Sequence, residues 1–274
     1  MQKYKIIAVD LDGTLLNTDM ALSEENAAAM ADLTARGVHI VPSTGRTLSQ
    51  IPAFVRDNEN VRYILHSCGS VIYDKETKTR VTECMSRELL AEIFALLRQC
   101  KISLCVHADG KAFVRADEHN EEGYLRYRVH PNHRRLYYAA CETVEDFDAF
   151  CDALADAEML VVFFADEDEL IRCRETLLAT GKVKIVSSAP HNIEIFSASA
   201  GKGTALLQLA ELLGESGDAT MAVGDSTNDS DMVAKAGLGV AMENACDELK
   251  EIADVIACRN NEHILPYLTK KYFT

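Results

Sequence analysis

The 274-residue sequence reads as an α/β protein in which a parallel-sheet core is interrupted by an inserted α+β domain. Three observations predict this. Short apolar runs alternate with helical segments over residues 4–65, the rhythm of strand–helix–strand crossovers. Near residue 85 the texture changes to hairpin-like strand pairs with mixed helices, and at 201 the first texture returns. The apolar content of 48% allows a substantial core, and the length exceeds the roughly 100–150 residues of a common single domain.

The elements follow in order. Tyr4–Val9 is an apolar strand, and Ser23 starts a helix that runs to Arg36, with Gly37 placed to cap its end. Val38–Val41 is a second strand, followed by the polar turn Ser43-Thr44-Gly45-Arg46 and a helix near 47–57. Tyr63–Leu65 gives a third strand and 71–83 a hairpin. A helix over 86–99 precedes strands at 102–107 and 111–115. The polar stretch 117–135, with His119, His130, His133, Arg134 and Arg135, reads as an exposed loop with an edge strand, although basic groups there would also suit an anionic substrate. Helix and strand pairs follow over 144–164 and 168–187, and the turn Ala189-Pro190-His191-Asn192 leads into the strand Ile193–Phe196. Gly201-Lys202-Gly203 opens a helix over 203–213, and Ala219–Val223 is a strand. A helix, the short strand Gly239–Ala241, another helix and the strand Asp254–Ile256 complete the chain.

The 28 basic and 43 acidic residues leave a net charge of -15, which argues against a nucleic-acid partner. No apolar run reaches the ~18 residues of a membrane span, and Met1-Gln2-Lys3-Tyr4 passes directly into the first strand, so neither a membrane segment nor a secretory leader is expected. The nine cysteines form no C-x-x-C pair and several sit in apolar stretches. They are expected to be small core thiols of a reducing, cytoplasmic compartment. Nothing in the pattern sets the oligomeric state.

Four polar stretches carry the chemistry. Asp10-Leu11-Asp12-Gly13-Thr14, Ser43–Arg46 and Gly224-Asp225-Ser226-Thr227-Asn228-Asp229 each follow a predicted strand, and in an open parallel sheet such loops gather where ligands bind. The fourth, Lys202, lies at a helix N-terminus, where a cation opposes the helix dipole unless an anion is also present. Two carboxylates where an apolar strand leaves the core are costly without a compensating cation or ligand. Rival motifs fail: an EF-hand from Asp10 needs Gly at 15 and Glu at 21, where Leu15 and Ala21 stand. A P-loop ending at Lys202 needs Gly at 196 and Ser or Thr at 203, where Phe196 and Gly203 stand.

Together these motifs resemble those of the haloacid dehalogenase superfamily, and in order and spacing the chain is similar to its Cof-type phosphatases. The resemblance implies a Rossmann-like parallel-sheet core, residues 1–83 and 197–274, with an α+β cap inserted over 84–196. It departs from the usual pattern at Ser43, where alanine often precedes the threonine, and at Ser67-Cys68-Gly69, where an Asn-Gly pair is common.

The resemblance also implies roles. Asp10 resembles the nucleophile that forms an aspartyl-phosphate, and Asp12 the general acid and base. With a reference pKa of about 3.9, Asp10 needs no activating base. It needs relief from phosphate repulsion, since unit charges ~4 Å apart interact by roughly 4 kcal/mol at an effective dielectric of about 20. Mg²⁺, held by Asp10, the Asp12 carbonyl and Asp225, with Asp229 as a further partner or merely a helix cap, would provide it. Thr44, Gly45, Lys202 and Asn228 would hold the phosphoryl group, with Asn228 steadying either Lys202 or the phosphate. Thr44 fits a local turn equally well, and Arg46 fits either substrate contact or an ion pair. The implied activity is hydrolysis of small phosphorylated metabolites such as sugar phosphates. A phosphomutase using the same Asp pair and a non-catalytic phospho-ligand sensor are the competing readings.

Overall fold

The apolar run after Tyr4 becomes a fully buried strand, Ile6–Val9, in the computed structural model, which describes residues 3–273. It pairs in parallel with Thr220–Gly224 on one side and His39–Pro42 on the other. Leu238–Ala241 and Val255–Ile256 extend the sheet, so five parallel strands run in the order 255–256, 238–241, 220–224, 6–9, 39–42. Ser43 bridges in parallel to Leu65 of the strand Tyr63–His66, which forms a three-stranded sheet with Val71–Asp74 and Thr79–Thr82. Strands buried on both faces carry Ile, Val, Ala and Met rather than an alternating pattern, as parallel sheets require.

The chain divides into two compact units. One comprises the residues through Gly45, Ile51–Val81 and those from Gly201 onward; the other comprises Arg46–Gln50 and Thr82–Ala200. In the first, the helix Glu24–Ala35 is capped by Ser23, whose hydroxyl accepts from the Asn26 amide at 3.2 Å. Gly37 follows with φ +80°. This helix packs against Ile264–Tyr272, a C-terminal helix the sequence reading did not anticipate. Asn26 joins the two: its buried side-chain amide donates to the Leu15 carbonyl at 3.1 Å and accepts from the Leu265 amide at 3.0 Å. The loop that follows Asp10 is thereby tied to the chain's last helix.

The second unit is built on a six-stranded sheet in the order 183–186, 192–197, 159–164, 102–108, 111–115, 141–144, antiparallel except for the last pair. The helices Arg87–Leu97, Phe147–Ala153 and Glu167–Ala179 place Leu90, Ile93, Phe147, Cys151 and Leu177 in one core with Leu160, Val162 and Ile193 of the sheet. All nine cysteines are free thiols.

Two stretches differ from expectation. The helix near 47–57 is two short turns, Leu48–Gln50 and Ala53–Arg56. Pro52 between them has no amide to continue a ladder and restricts Ile51 to an extended shape. The stretch 117–135 is not a loop with an edge strand but contributes the helices Glu121–Arg126 and Pro131–Ala140, whose N-caps are Asn120 and His130. They bury Tyr124 and Tyr137, with His133 against Phe163 at a centroid distance of 4.9 Å. Its polar groups are engaged within the unit: Arg134 pairs with Glu121, His119 with the Tyr124 hydroxyl, and His133 with Ser188. Arg135 is exposed.

Replacing Asn26 by Ala strands two buried backbone groups, each worth about 1–3 kcal/mol. Urea unfolding of Asn26→Ala should show a loss of about 3 kcal/mol relative to the parent chain.

Candidate active site

The parallel register sets the site. Val9 lies beside both Val223 and Pro42, so the residues that leave these three strands, Asp10, Gly224-Asp225 and Ser43-Thr44, emerge side by side. The Asp10 amide donates to the Val223 carbonyl and the Ser43 amide to the Val9 carbonyl, both at 2.9 Å, which extends the ladder one residue into the loops. All eight candidate residues (Asp10, Asp12, Thr44, Gly45, Lys202, Asp225, Asn228 and Asp229) belong to the first unit.

Its centre is Lys202. The ammonium is buried and donates to Asp10 Oδ1 at 2.7 Å and to Asp229 Oδ1 at 2.6 Å. Burial alone would lower its pKa; the Asp10 and Asp229 carboxylates more than reverse this and hold it charged. Lys202 opens the helix Lys202–Leu212, and the anion that this helix end calls for is Asp231. Asp231 Oδ2 accepts from the Gly203 and Thr204 amides at 3.0 and 3.3 Å. This residue was not singled out in the sequence, although a carboxylate beside the Asp225–Asp229 loop is the natural partner for a nearby helix end.

Asp229 is wholly engaged. Its second oxygen accepts from the Asp225 and Ser226 amides at 3.0 and 3.2 Å, a local cap visible in the Ser-x-x-Asp spacing. Asn228 accepts from the Ser226 hydroxyl at 2.8 Å, so it is Asp229, and not Asn228, that steadies Lys202. Asp225 is half-buried, and its carboxylate comes so close to the first loop that a Cβ on Gly13 would sit 2.3 Å from Asp225 Oδ2. Gly13 also has φ +81°, so both the backbone and the neighbouring acid exclude a side chain there. The Asn244 amide, absent from the sequence reading, holds the Gly13 carbonyl at 2.8 Å.

Thr44 is buried, with its amide on the Leu65 carbonyl at 2.9 Å and its carbonyl accepting from the Cys68 amide at 3.1 Å. Gly45 follows, half-buried. The departure at Ser67-Cys68-Gly69 forms a tight turn with φ of +50°, +55° and +81° in succession. A Cβ on Gly69 would lie 2.4 Å from the Gly201 carbonyl oxygen, so this turn backs directly onto the start of the Lys202 helix.

Carboxylate oxygens of Asp10, Asp225 and Asp229 lie within 4.8 Å of one another, and Asp12 adds its charge to both Asp10 and Asp225. The Lys202 ammonium contacts two of these carboxylates, Asp10 and Asp229. Burial and then the neighbouring acids push Asp225 up to about 7, and burial among the same acids raises Asp10 against the pull of Lys202. This surplus of oxygen donors and negative charge fits a hard divalent cation. A carboxyl raised in the fold binds protons that the unfolded chain releases. With EDTA present, this group should therefore make the fold lose stability as pH rises from about 4 to about 7. Saturating Mg²⁺ should flatten that slope and raise the unfolding midpoint, as followed by thermal melts across the pH range.

Comparisons with known proteins agree with this geometry. The sequence model of the haloacid dehalogenase-like hydrolase family matches residues 7–266. Two 5-amino-6-(5-phospho-D-ribitylamino)uracil phosphatases of Bacillus subtilis are similar to the chain. One is 31% identical over 94% of this chain and 91% of its own length; the other is 32% identical over 96% of each. A haloacid dehalogenase-like hydrolase from B. subtilis superposes with a TM-score of 0.83 at 27% identity, covering 97% of this chain and 99% of its own. The match over nearly the whole length, on a parallel sheet with an inserted antiparallel unit, shows that the chain belongs to the haloacid dehalogenase-like hydrolase family.

Proposed function

We propose that the protein is a Mg²⁺-dependent phosphatase that hydrolyses small phosphorylated metabolites, sugar phosphates foremost, through an aspartyl-phosphate on Asp10. The observation that carries this reading is the buried Lys202 ammonium on Asp10 Oδ1. It holds one oxygen of a carboxylate at the end of a rigid strand and leaves the other to attack. The names of the two B. subtilis relatives, which describe a phosphate on a ribityl chain, support a small phosphorylated substrate.

In the first step an Asp10 oxygen forms a bond to phosphorus as the ester oxygen–phosphorus bond breaks, and Asp12 gives its proton to the leaving oxygen. In the second, Asp12 takes a proton from water as the water oxygen attacks phosphorus, releasing inorganic phosphate and the Asp10 carboxylate. Asp12 is more exposed than Asp10, which suits a group that must meet both a leaving alcohol and water. Lys202, Thr44 and the Gly45 backbone hold the phosphoryl oxygens, with Asn228 at the rim; such transfer depends mainly on positioning and charge stabilisation. Asp10, Asp225 and the Asp12 carbonyl would hold Mg²⁺, which when bound offsets repulsion between phosphate and carboxylates. Asp229, with both oxygens engaged, orients Lys202 and the Asp225 loop in this reading. The inserted residues 84–196 act as the cap that selects the leaving group.

Asp10→Asn should lower kcat on p-nitrophenyl phosphate by at least about a thousandfold while its circular dichroism matches the parent. EDTA should stop turnover of the unmodified enzyme and Mg²⁺ restore it; activity that survives either treatment contradicts the assignment. With a hexose 1-phosphate, free phosphate should appear in place of the 6-phosphate isomer, which distinguishes hydrolysis from mutase chemistry.

A further inference from the structure

The turn that carries Asp12 is wide and ends in a residue with little conformational resistance. Asp12 (φ -79°, ψ 114°) and Gly13 (φ 81°, ψ 3°) have the angles of a type II turn. The bonds across it span five residues: the Leu15 amide donates to the Asp10 carbonyl at 3.1 Å and the Leu16 amide to the Leu11 carbonyl at 2.9 Å. Glycine rotates more freely than any other residue, so the turn depends on what holds it from outside. Two asparagines grip the segment 13–16 at its ends. The Asn244 side-chain amide donates to the Gly13 carbonyl at 2.8 Å, and that of Asn260 to the Leu16 carbonyl at 3.0 Å. The two are joined, since Asn244 Oδ1 accepts from the Asn260 backbone amide at 3.0 Å. That bond fixes which way the Asn244 amide points: its oxygen must meet the Asn260 N–H, which leaves Nδ2 for Gly13.

The loop that carries Asn244 also reaches the second acidic strand end. The Met242 amide donates to the Gly224 carbonyl and the Cys246 amide to the Asp225 carbonyl, both at 2.9 Å. One five-residue stretch, 242–246, therefore binds both the Asp12-Gly13 turn and the backbone of Asp225, and all of these residues belong to the first unit. Asn244 is exposed, so its bond to Gly13 contributes little to the stability of the fold. Its effect on the site is larger, because any drift of the turn displaces the carboxyl and the carbonyl of Asp12 together. We propose that Asn244 is a positioning residue for Asp12, acting through the Gly13 carbonyl on both the proton transfer and the Mg²⁺ ligation assigned to Asp12. This rests on the phosphatase reading above. It places a determinant of that chemistry outside all four sequence motifs.

The test compares Asn244→Ala and Asn244→Asp with the parent chain. It measures kcat/KM on p-nitrophenyl phosphate and on phenyl phosphate, the Mg²⁺ dissociation constant by calorimetry, and the unfolding midpoint. The nitro group stabilises the departing phenolate, whereas phenyl phosphate depends more on the proton from Asp12. Asn244→Ala should lower kcat/KM by about threefold with p-nitrophenyl phosphate and by about ten- to thirtyfold with phenyl phosphate, and weaken Mg²⁺ about five- to tenfold. Asn244→Asp keeps the acceptor for Asn260 but turns an oxygen toward the Gly13 carbonyl. It should weaken Mg²⁺ at least as much, although its added charge alone would tighten it. Both midpoints should stay within about 4 °C of the parent. Equal losses on the two esters, or Mg²⁺ bound within about twofold of the parent or more tightly by both variants, would overturn the proposal. Asp10→Asn separates this outcome from failure of the phosphatase reading. If it remains active, that reading falls whatever the Asn244 variants do; if it is inactive and the Asn244 variants match the parent, only the role of Asn244 falls.

Discussion

A single buried ammonium governs the site. Lys202 sits between Asp10 and Asp229, and without it four carboxylates would converge at the edge of a dry sheet. Every neighbouring feature serves that placement. Asp231 takes up the amides at the start of the Lys202 helix, so a cation can stand there. The left-handed turn at Ser67–Gly69 packs against the Gly201 backbone, and it is Gly69 that lacks the Cβ that would clash. Asp229 divides its oxygens between the ammonium and two amides of its own loop, so one side chain both holds Lys202 and shapes the turn after Gly224.

The charge balance of the cluster is incomplete by design of its chemistry. Lys202 pairs with Asp10 and Asp229, while Asp225 stands beside them with its carboxyl pKa raised by burial and by neighbouring acids. A divalent cation at Asp10, Asp225 and Asp229 would offset the negative charge that Lys202 does not. Removal of water then strengthens each of these interactions.

Much of this was legible in the sequence because it is local. Asp10, Ser43 and Asp225 each follow a short apolar run, and the parallel registry that brings them together follows from strand–helix alternation. What was not legible depends on distant partners or weak periodicity. The helix Pro131–Ala140 is marked by His130-Pro131 at its start, yet its polar composition masks the stripe that buries Tyr137. The C-terminal helix was readable from Ile264, Leu265 and Leu268 on one face, a spacing passed over in the sequence reading. The split of 47–57 could be read in part from Pro52, but the capture of 46–50 by Glu158 could not, since no local pattern records a partner so far along the chain. Asn26 and Asn244 are likewise ordinary polar residues until the loop they hold is seen.

The strand that carries Asp10 also has a consequence for biosynthesis. Ile6 pairs with Thr220, so the central sheet cannot close until the last fifth of the chain has been made. The second unit's whole sequence, ending at Ala200, leaves the ribosome before that partner strand does. The order of synthesis therefore lets the inserted unit fold first, while Ile6–Val9, whose other neighbour His39–Pro42 is made early, keeps one edge open, an edge of the kind that chaperones shield. Long-range pairing of this sort is also slow to form. Asp10 and Asp225 thus come together only at the final stage of folding, so an incompletely made chain carries no assembled acidic cluster.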